Sequence, residues 1–391
     1  MKKTKKRSTE EKEYRRASRK SRTAAATFVI LGAAFLRLVL SFGAYMFTRS
    51  RSALAGSVYS EKIFPVITAP MKFLASLVPF SVFETLIILA LILLIAGLAI
   101  CVVRAFQKKR PRGFLRILAI VLTAALLVGG NFFVYGGINY NATEFKELSG
   151  LAVEDTDTET LQKLCVFLGA KATEARKALT ENEKGVVTDD RPLREIFLLS
   201  PDGYGEAAKE YPCLDGWLVA PKGAAFSELM SYEQISGIFP IVFTESVVNT
   251  NTAIYDIPLV SCHELAHQLG FAREDEANFI GYLAAINNGD PLYVYSGYYN
   301  GFCYAMNMLY KYDRSKWESV WGEESIDSRG ISNDMRASNE IWDAYKKKVP
   351  AVSNISEAVN DSYLKHNNIS DGTRSYGRVV DLLIAYYRDE L

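Results

Sequence analysis

The stretch His263-Glu264-Leu265-Ala266-His267 decides how the rest of this chain is interpreted. It holds two of the three histidines in the 391 residues and lies inside an apolar segment, Ile257 to Phe271. On a helix, residues four apart project from one face, so two imidazoles can bind one metal ion while the intervening Glu264 activates a water molecule. This HExxH pattern is typical of zinc proteases.

The residues flanking the pattern are typical helix start and stop signals. Asp256 is a candidate N-cap, Pro258 suits the first turn, and Gly270 suits the end. These signals predict a helix of about three turns.

A catalytic zinc ion needs a third protein ligand and an open position for water. Glu274 and Glu276 are the candidates, and we favour Glu274 because Asn278 follows it by four residues. That spacing resembles the helices of gluzincin-type peptidases, in which the Glu binds zinc and the residue four later orients a ligand histidine. Glu276 would place Ile280 at that position, where the side chain cannot form a hydrogen bond. Glu276 stays open as the alternative ligand.

Two other protease patterns fail on the same residues. In the metzincin pattern HExxHxxGxxH, the third ligand would fall at Arg273, which cannot bind zinc. An intramembrane protease needs the motif within a spanning helix, and residues 257–272 are too few and are bounded by charged residues. The competing structural interpretation is that both histidines are ordinary, partly buried residues.

Three apolar segments precede the motif, each close to the ~20 residues that cross a bilayer core. They run from Ala24 to Phe47, from Val82 to Val103 and from Phe114 to Tyr135. The first is too long for a signal peptide and lacks a small-residue cleavage site. It contains Arg37, which at mid-membrane would cost roughly 2.5–3.5 kcal/mol unless it snorkels or pairs. Glu84 is a candidate partner for Arg37.

Basic residues predict the orientation of these segments. Residues 1–22 contain 11 Lys/Arg and residues 104–116 contain six, so we expect both stretches in the cytoplasm and the chain beyond the third segment outside. Residues 137–391 contain 23 Lys/Arg and 39 Asp/Glu, a net charge of 23 − 39 = −16. Such an acidic domain would repel phosphate backbones, which excludes nucleic acid as a partner and leaves the basic tail a topogenic role beside anionic lipids.

The predicted organisation is therefore a basic tail (1–22), a three-helix transmembrane region (23–136) in a lipid bilayer, and an extracytoplasmic domain (137–391). Helices are expected at about Thr158–Leu179, Glu274–Asn287, Tyr293–Tyr312, Asp334–Lys348 and Gly377–Tyr387. Residues 237–244 and 246–249 read as short strands ahead of the HExxH helix. In zincin proteases an edge strand at this place binds the peptide substrate. The fold class is thus a mainly α-helical α+β, zincin-like domain with a small sheet before the HExxH helix.

Further motifs extend over nearly the whole chain from about residue 27. They are Val58-Tyr59-Ser60, Val78-Pro79-Phe80-Ser81, Gly137-Ile138-Asn139-Tyr140, Phe239-Pro240, Thr244-Glu245, residues 263–270, residues 274–280, residues 360–365 and residues 375–378. With these motifs the chain resembles a bacterial membrane-protein family catalogued as domain of unknown function 3810. The resemblance implies a zincin-like domain on a membrane protein and gives no substrate.

These observations predict a membrane-anchored zinc metallopeptidase, with Zn²⁺ on His263, His267 and either glutamate, Glu264 as general base, and a peptide or protein substrate. Zincins stabilise the oxyanion with a Tyr, His or Arg from a distant segment, so we expect Tyr376 or Arg378 to enter the cleft. One alternative is a non-catalytic sensor or scaffold of the cell envelope. Another is a zinc hydrolase that acts on a non-peptide envelope component.

Overall fold

The computed structural model describes residues 2–106, 112–154, 156–350 and 376–391. The chain divides into two compact units. The smaller contains residues 1–47 and 87–134, and the larger contains residues 48–86 and 135–391. The predicted boundary at residue 137 leaves residues 48–86 with the membrane region, whereas in the structure they pack within the larger unit.

Three long helices contain the three apolar segments that the sequence predicts. They are α1 (Lys2–Thr48), α4 (Val82–Phe106) and α5 (Arg112–Tyr135). By length and composition, the segments that could cross a membrane are Ala25–Thr48, Val82–Arg104 and Phe114–Asn141. Two further pieces lie between the first two segments: α2 (Ser52–Leu54), which runs into a π-helix at Ala55–Ile63, and α3 (Phe64–Ser76).

Arg37 and Glu84, the candidate ion pair of the sequence analysis, each have other partners. Arg37 donates a hydrogen bond to the side-chain oxygen of Asn131 on α5. The Glu84 carboxylate accepts hydrogen bonds from the backbone N–H groups of Ala225 and Phe226, each at 2.9 Å. An amide partner neutralises no charge, but it satisfies donors of the guanidinium group within an apolar helix pair.

The larger unit is mostly helical. Its other helices are α6 (Phe145–Ser149), α7 (Thr158–Arg176), α8 (Leu193–Leu199), α9 (Asp202–Glu210), α10 (Ser227–Tyr232), α11 (Ile257–Gln268), α12 (Glu274–Ile286), α13 (Pro291–Tyr312), α14 (Arg314–Val320), α15 (Ser328–Lys348) and α16 (Tyr376–Tyr386). Single 3₁₀ turns occur at Gly137–Asn141 and Pro212–Leu214. The predicted helices after residue 137 are confirmed, with shifts of up to six residues at their ends.

The core of this unit is a layer of helices around α12. Helix α7 packs along α13, and α12 packs against α11, α13 and α16. Helix α7 shows why the sequence predicted it: the Asp157 side chain caps its first turn through Thr160 N–H at 2.8 Å. Its buried face repeats at helical spacing through Leu161, Leu164 and Leu168. The HExxH helix, α11, is therefore held on a fully packed helical support.

Two small sheets complete the unit. Strands β1 (Thr180–Glu181) and β2 (Val187–Thr188) form an antiparallel pair. Strands β3 (Lys222–Gly223), β4 (Gly237–Ile238) and β5 (Val247–Val248) form a sheet in the order β3-β5-β4, with β5 parallel to β3 and antiparallel to β4. Strand β4 therefore lies at a sheet edge, ahead of the HExxH helix as predicted.

The strand predicted over residues 237–244 is wrong beyond Ile238. The carbonyl of Pro240 accepts hydrogen bonds from the N–H groups of Phe243 and Thr244 at 2.8 and 3.0 Å. Thr244 has a φ of +50°, in the left-handed region. Proline has no N–H for a strand ladder and favours turns, so the β-branched residues that follow it form a turn instead.

One buried carboxylate ties the start of α4 to the sheet. Glu245, just before β5, is 1% exposed. It accepts hydrogen bonds from the Ser81 hydroxyl and from the N–H groups of Val82 and Phe83 at 2.6 to 3.1 Å. It also forms an ion pair with buried Lys222 at 3.0 Å. Negative charge stabilises the first turn of a helix, so Glu245 serves as a cap supplied by a distant strand.

We predict that Glu245→Ala destabilises the larger unit strongly, because Lys222 would keep a buried charge without its partner. Breaking a buried ion pair in this way costs about 3–5 kcal/mol. Thermal unfolding of the full chain in detergent measures the change. Glu228→Ala, which removes an exposed carboxylate from the first turn of nearby α10, is the control and should lower the unfolding temperature far less, since such an exposed charge contributes about 0.3–1 kcal/mol. Equal unfolding temperatures for the two variants would contradict the prediction.

Candidate metal centre

Helix α11 places His263 and His267 on one face, one turn apart. The helix runs from Ile257 to Gln268, and the left-handed Gly270 that follows it has a φ of +101°. The predicted helix and its glycine stop are confirmed. Asp256 stands at the N-cap position but makes no capping hydrogen bond.

Asp256 instead accepts a hydrogen bond from Ser338 Oγ at 2.7 Å. Burial raises the pKa of Asp256 to about 6. Its carboxylate therefore joins α11 to α15 rather than capping its own helix.

Helix α12 crosses α11 at very short range. The contact point is Gly281, where an added Cβ would lie 2.8 Å from the backbone nitrogen of His263. Only glycine allows this approach without displacement of a backbone. The close contact brings the first residue of α12, Glu274, opposite the two histidines.

The ligand atoms of His263, His267 and Glu274 converge within 4.8 Å of one another. The two Nε2 atoms are 3.2 Å apart. The Glu274 carboxylate oxygens lie 3.3 Å from His263 Nε2 and 3.9 Å from His267 Nε2. The structure thus joins three side chains that the sequence analysis selected.

The spacing of these atoms fits a zinc ion. Ligands at about 2.0–2.1 Å from a tetrahedral zinc ion lie roughly 3.3 Å from one another. Lone pairs aimed at one point also repel unless a cation or a proton lies among them. Two imidazoles and one carboxylate form a ligand set that leaves a fourth position open, as in catalytic zinc sites. The zinc itself stays a prediction.

A second layer of contacts orients the imidazoles. His267 Nδ1 lies 2.7 Å from the carbonyl oxygen of Phe271, so the Nδ1–H tautomer donates there and leaves the Nε2 lone pair for the centre. His263 Nδ1 is buried and has no hydrogen-bond partner among the residues that the structure describes. Burial lowers the pKa of His263, but Glu274 and the neighbouring Asn278 raise it, with a net upward shift. Asn278 therefore lies beside the ligand histidine that it was predicted to orient.

Glu264 is 3% exposed and lies beside the cluster. Its Oε2 atom has no hydrogen-bond partner within the described ranges. Burial raises the pKa of Glu264 to about 8, against an opposing effect of His263. A buried carboxylate without a partner is costly, and perturbed groups of this kind concentrate at functional sites.

The edge strand β4 lies directly against Glu264. A Cβ atom added at Gly237 would collide with Glu264 Oε1 and would lie 2.9 Å from Val260 Cγ1. The glycine at this position therefore lets the strand backbone approach the carboxylate.

The alternative ligand, Glu276, has a different partner. Its Oε1 atom accepts a hydrogen bond from the backbone N–H of Phe145 at 2.7 Å. Burial raises the pKa of Glu276 to about 8. The structure thus brings Glu274, and not Glu276, to the two histidines.

One of the two candidate oxyanion donors, Arg378, lies near the start of α12. Arg378 Nη1 is 3.7 Å from an oxygen of Asp275, the residue after Glu274. Tyr376 begins α16, and its side chain lies outside the part of the chain that the structure describes. His366 and Tyr363 also fall outside the described residues.

Sequence analysis missed Lys72 on α3. This lysine is 4% exposed and donates hydrogen bonds to the carbonyls of Gln268 and Trp217 at 2.8 and 3.0 Å. Gln268 ends α11, so the ammonium group stabilises the carboxyl end of the metal helix. Burial lowers the pKa of Lys72 to about 8. The sequence offered one signal for such a buried lysine: Lys72 is the one charged residue in the apolar stretch from Phe64 to Ser76.

The fold and the site define a largely helical protein with three membrane-length helices and a His–His–Glu cluster backed by a buried glutamate. The chain belongs to the family described as protein of unknown function (DUF3810), whose model matches residues 59–384. The matched residues include α3, which precedes the second apolar helix, and also α11 and α12. No curated protein and no solved structure matches the chain.

We predict that Glu274→Gln weakens zinc binding by at least about 100-fold. Mutation of residues that only orient the ligands already lowers metal affinity by about 10–100-fold, and loss of a ligand should cost more. Glu276→Gln is the matched control, because its amide oxygen can still accept the Phe145 N–H. Metal analysis and chelator competition on the full chain in detergent measure both. Equal loss in the two variants, or loss in Glu276→Gln alone, would contradict the assignment.

Gly237→Ala should destabilise the chain by about 1–3 kcal/mol, because the new methyl group overpacks the contact between β4 and Glu264. Gly205→Ala is the control: it lies in α9, and an added Cβ there meets nothing within 4 Å. That change should be neutral or stabilising by up to about 1 kcal/mol. Thermal unfolding separates the two, and an unchanged unfolding temperature for Gly237→Ala would show that β4 does not crowd Glu264.

Proposed function

We propose that this chain is a membrane-anchored, zinc-dependent metallopeptidase. His263, His267 and Glu274 bind the metal ion, and Glu264 is the general base. The observation that carries the proposal is the convergence of two Nε2 atoms and one carboxylate beside a buried carboxylate with an unpartnered oxygen.

The ligand set supports a transition metal over magnesium or calcium, which favour sites made of oxygen ligands. Imidazole suits zinc and several other first-row metals, and the HExxH spacing on one helix favours zinc among them. When bound, Zn²⁺ would lower the pKa of a water molecule to about 7 and polarise the carbonyl group of a substrate. The role of the protein is to fix the ligands, and the contacts of His267 Nδ1 and the Gly281 backbone do this.

Glu264 supplies the proton transfers. Its carboxylate takes a proton from the attacking water and then gives it to the leaving amine. Burial raises the pKa of Glu264 to about 8, close to neutral pH. A pKa in this range suits a group that must both accept and release a proton. A cation held next to it favours the carboxylate form.

A peptide is the substrate class that the surroundings favour. Strand β4 is an edge strand, and extended peptides bind to such edges by main-chain hydrogen bonds. The contact of Gly237 with Glu264 brings that edge to the general base. Arg378 and Tyr376 stay candidates for oxyanion stabilisation, since the ion pair of Arg378 with Asp275 lies one residue from Glu274.

We also propose where the chain lies in the cell. The three apolar helices anchor the chain in the cell membrane, and the distribution of Lys and Arg favours a cytoplasmic N-terminus with the metal centre outside.

We predict that Glu264→Gln lowers peptide cleavage by about 10²–10⁴-fold while zinc stays bound. Glu276→Gln is again the matched control, since Glu276 is also a buried carboxylate with a pKa raised to about 8. The assay uses the full chain in detergent, a peptide library read by mass spectrometry, and metal analysis of each variant.

Three outcomes separate the candidate functions. Cleavage by wild type and Glu276→Gln, with about 10²–10⁴-fold less by Glu264→Gln, supports the peptidase. Bound zinc without cleavage of any peptide favours the sensor, the scaffold or a non-peptide hydrolase. Equal cleavage by Glu264→Gln and wild type rejects Glu264 as the base.

A further inference from the structure

Helix α3, between the first two membrane-length helices, exposes an apolar face although its opposite face is already buried. One face is buried within the larger unit through Phe64, Thr68, Lys72 and Ala75, which follow helical spacing. Lys72 is the one charged residue in the helix, and it points inward to Gln268 and Trp217. The opposite face should then carry the polar residues of an ordinary surface helix.

The outward face of α3 and its flanks carries apolar side chains instead. Val66, Phe73 and Leu77 are 70%, 55% and 61% exposed. The same face continues through Ile63, Pro70 and Leu74, with Phe80 just beyond. A helix that is apolar all round is normally buried, and water-soluble surfaces rarely expose apolar patches of this extent. Something other than water covers this face.

The chain itself indicates what the cover is. The segment that carries α3 follows the membrane-length stretch ending at Thr48 and precedes the one beginning at Val82. Both of its ends are therefore held at the same membrane surface, with no long linker to carry the face away. A segment held at the membrane surface by both ends is always close to lipid. A protein partner would have to compete with that lipid for the apolar face.

We propose that the outward face of α3 (Ile63, Val66, Pro70, Phe73, Leu74 and Leu77) lies in the lipid bilayer surface as an interfacial helix. The inference rests on the membrane-anchoring part of the proposed function and is independent of the zinc chemistry. Because Lys72 on the inner face bonds to Gln268, the carboxyl end of the metal helix lies about one helix diameter, ~10–12 Å, from the lipid. The candidate site is thereby suited to peptide segments that emerge close to the membrane.

Tryptophan fluorescence of the full chain in phosphatidylcholine vesicles tests the proposal. Phe73→Trp places a reporter on the face, and vesicles brominated near the headgroup end of the acyl chains quench it if lipid covers it. Iodide in the buffer quenches it if water does. Leu93→Trp, in the middle of α4, reports whether that helix is in lipid. Tyr312→Trp, exposed between Lys311 and Asp313, reports a water-facing position. The wild-type signal is subtracted throughout.

The expected result is that Phe73→Trp loses about as much emission to brominated lipid as Leu93→Trp and is protected from iodide, unlike Tyr312→Trp. Quenching by iodide alone would overturn the proposal and leave the face in water. Protection from both quenchers would also overturn it, since a protein surface or a second copy would then cover the face. If Leu93→Trp also escapes brominated lipid, the membrane anchoring fails first. A parallel cleavage assay keeps that failure distinct from failure of the peptidase.

Discussion

The candidate site depends on one close contact between two helix backbones. At Gly281 helix α12 approaches the His263 nitrogen so closely that a Cβ would lie 2.8 Å from it. This approach sets the start of α12, and hence Glu274, opposite the histidines of α11. Packing in a dense interior transmits small displacements, so the distance between the helices fixes whether three ligand atoms can share one ion. The proposed roles of His263, His267 and Glu274 as ligands follow from that distance.

The parts of the structure that the sequence predicted are those with local causes. Helix α11 begins near Pro258 and ends before Gly270, and both signals act within one turn. The choice of Glu274 over Glu276 came from Asn278 four residues later, a relation within one helix. The structure places Glu274 at the histidines and turns Glu276 to the Phe145 N–H. Membrane-length helices are equally local, because composition and length alone predict them.

The parts that the sequence could not predict depend on distant partners. Lys72 and Gln268 are 196 residues apart, and any buried carbonyl could have satisfied the ammonium group. Glu84 was a candidate partner for Arg37, yet it accepts hydrogen bonds from the backbone N–H groups of Ala225 and Phe226. A carboxylate prefers either a cation or an array of amide donors, and nothing local selects between them. For the same reason the sequence did not reveal that the segment between the first two apolar helices packs within the larger unit and supports the metal helix.

The central claim is that two imidazoles and one carboxylate hold a zinc ion. X-ray absorption at the zinc edge, on the purified full chain loaded with one equivalent of zinc, tests it most directly. The account predicts only nitrogen and oxygen ligands at about 2.0–2.1 Å, with the outer-shell scattering of two imidazole rings. Sulfur scattering near 2.3 Å, which would mean that cysteines hold the metal, or an all-oxygen shell without imidazole, would contradict it.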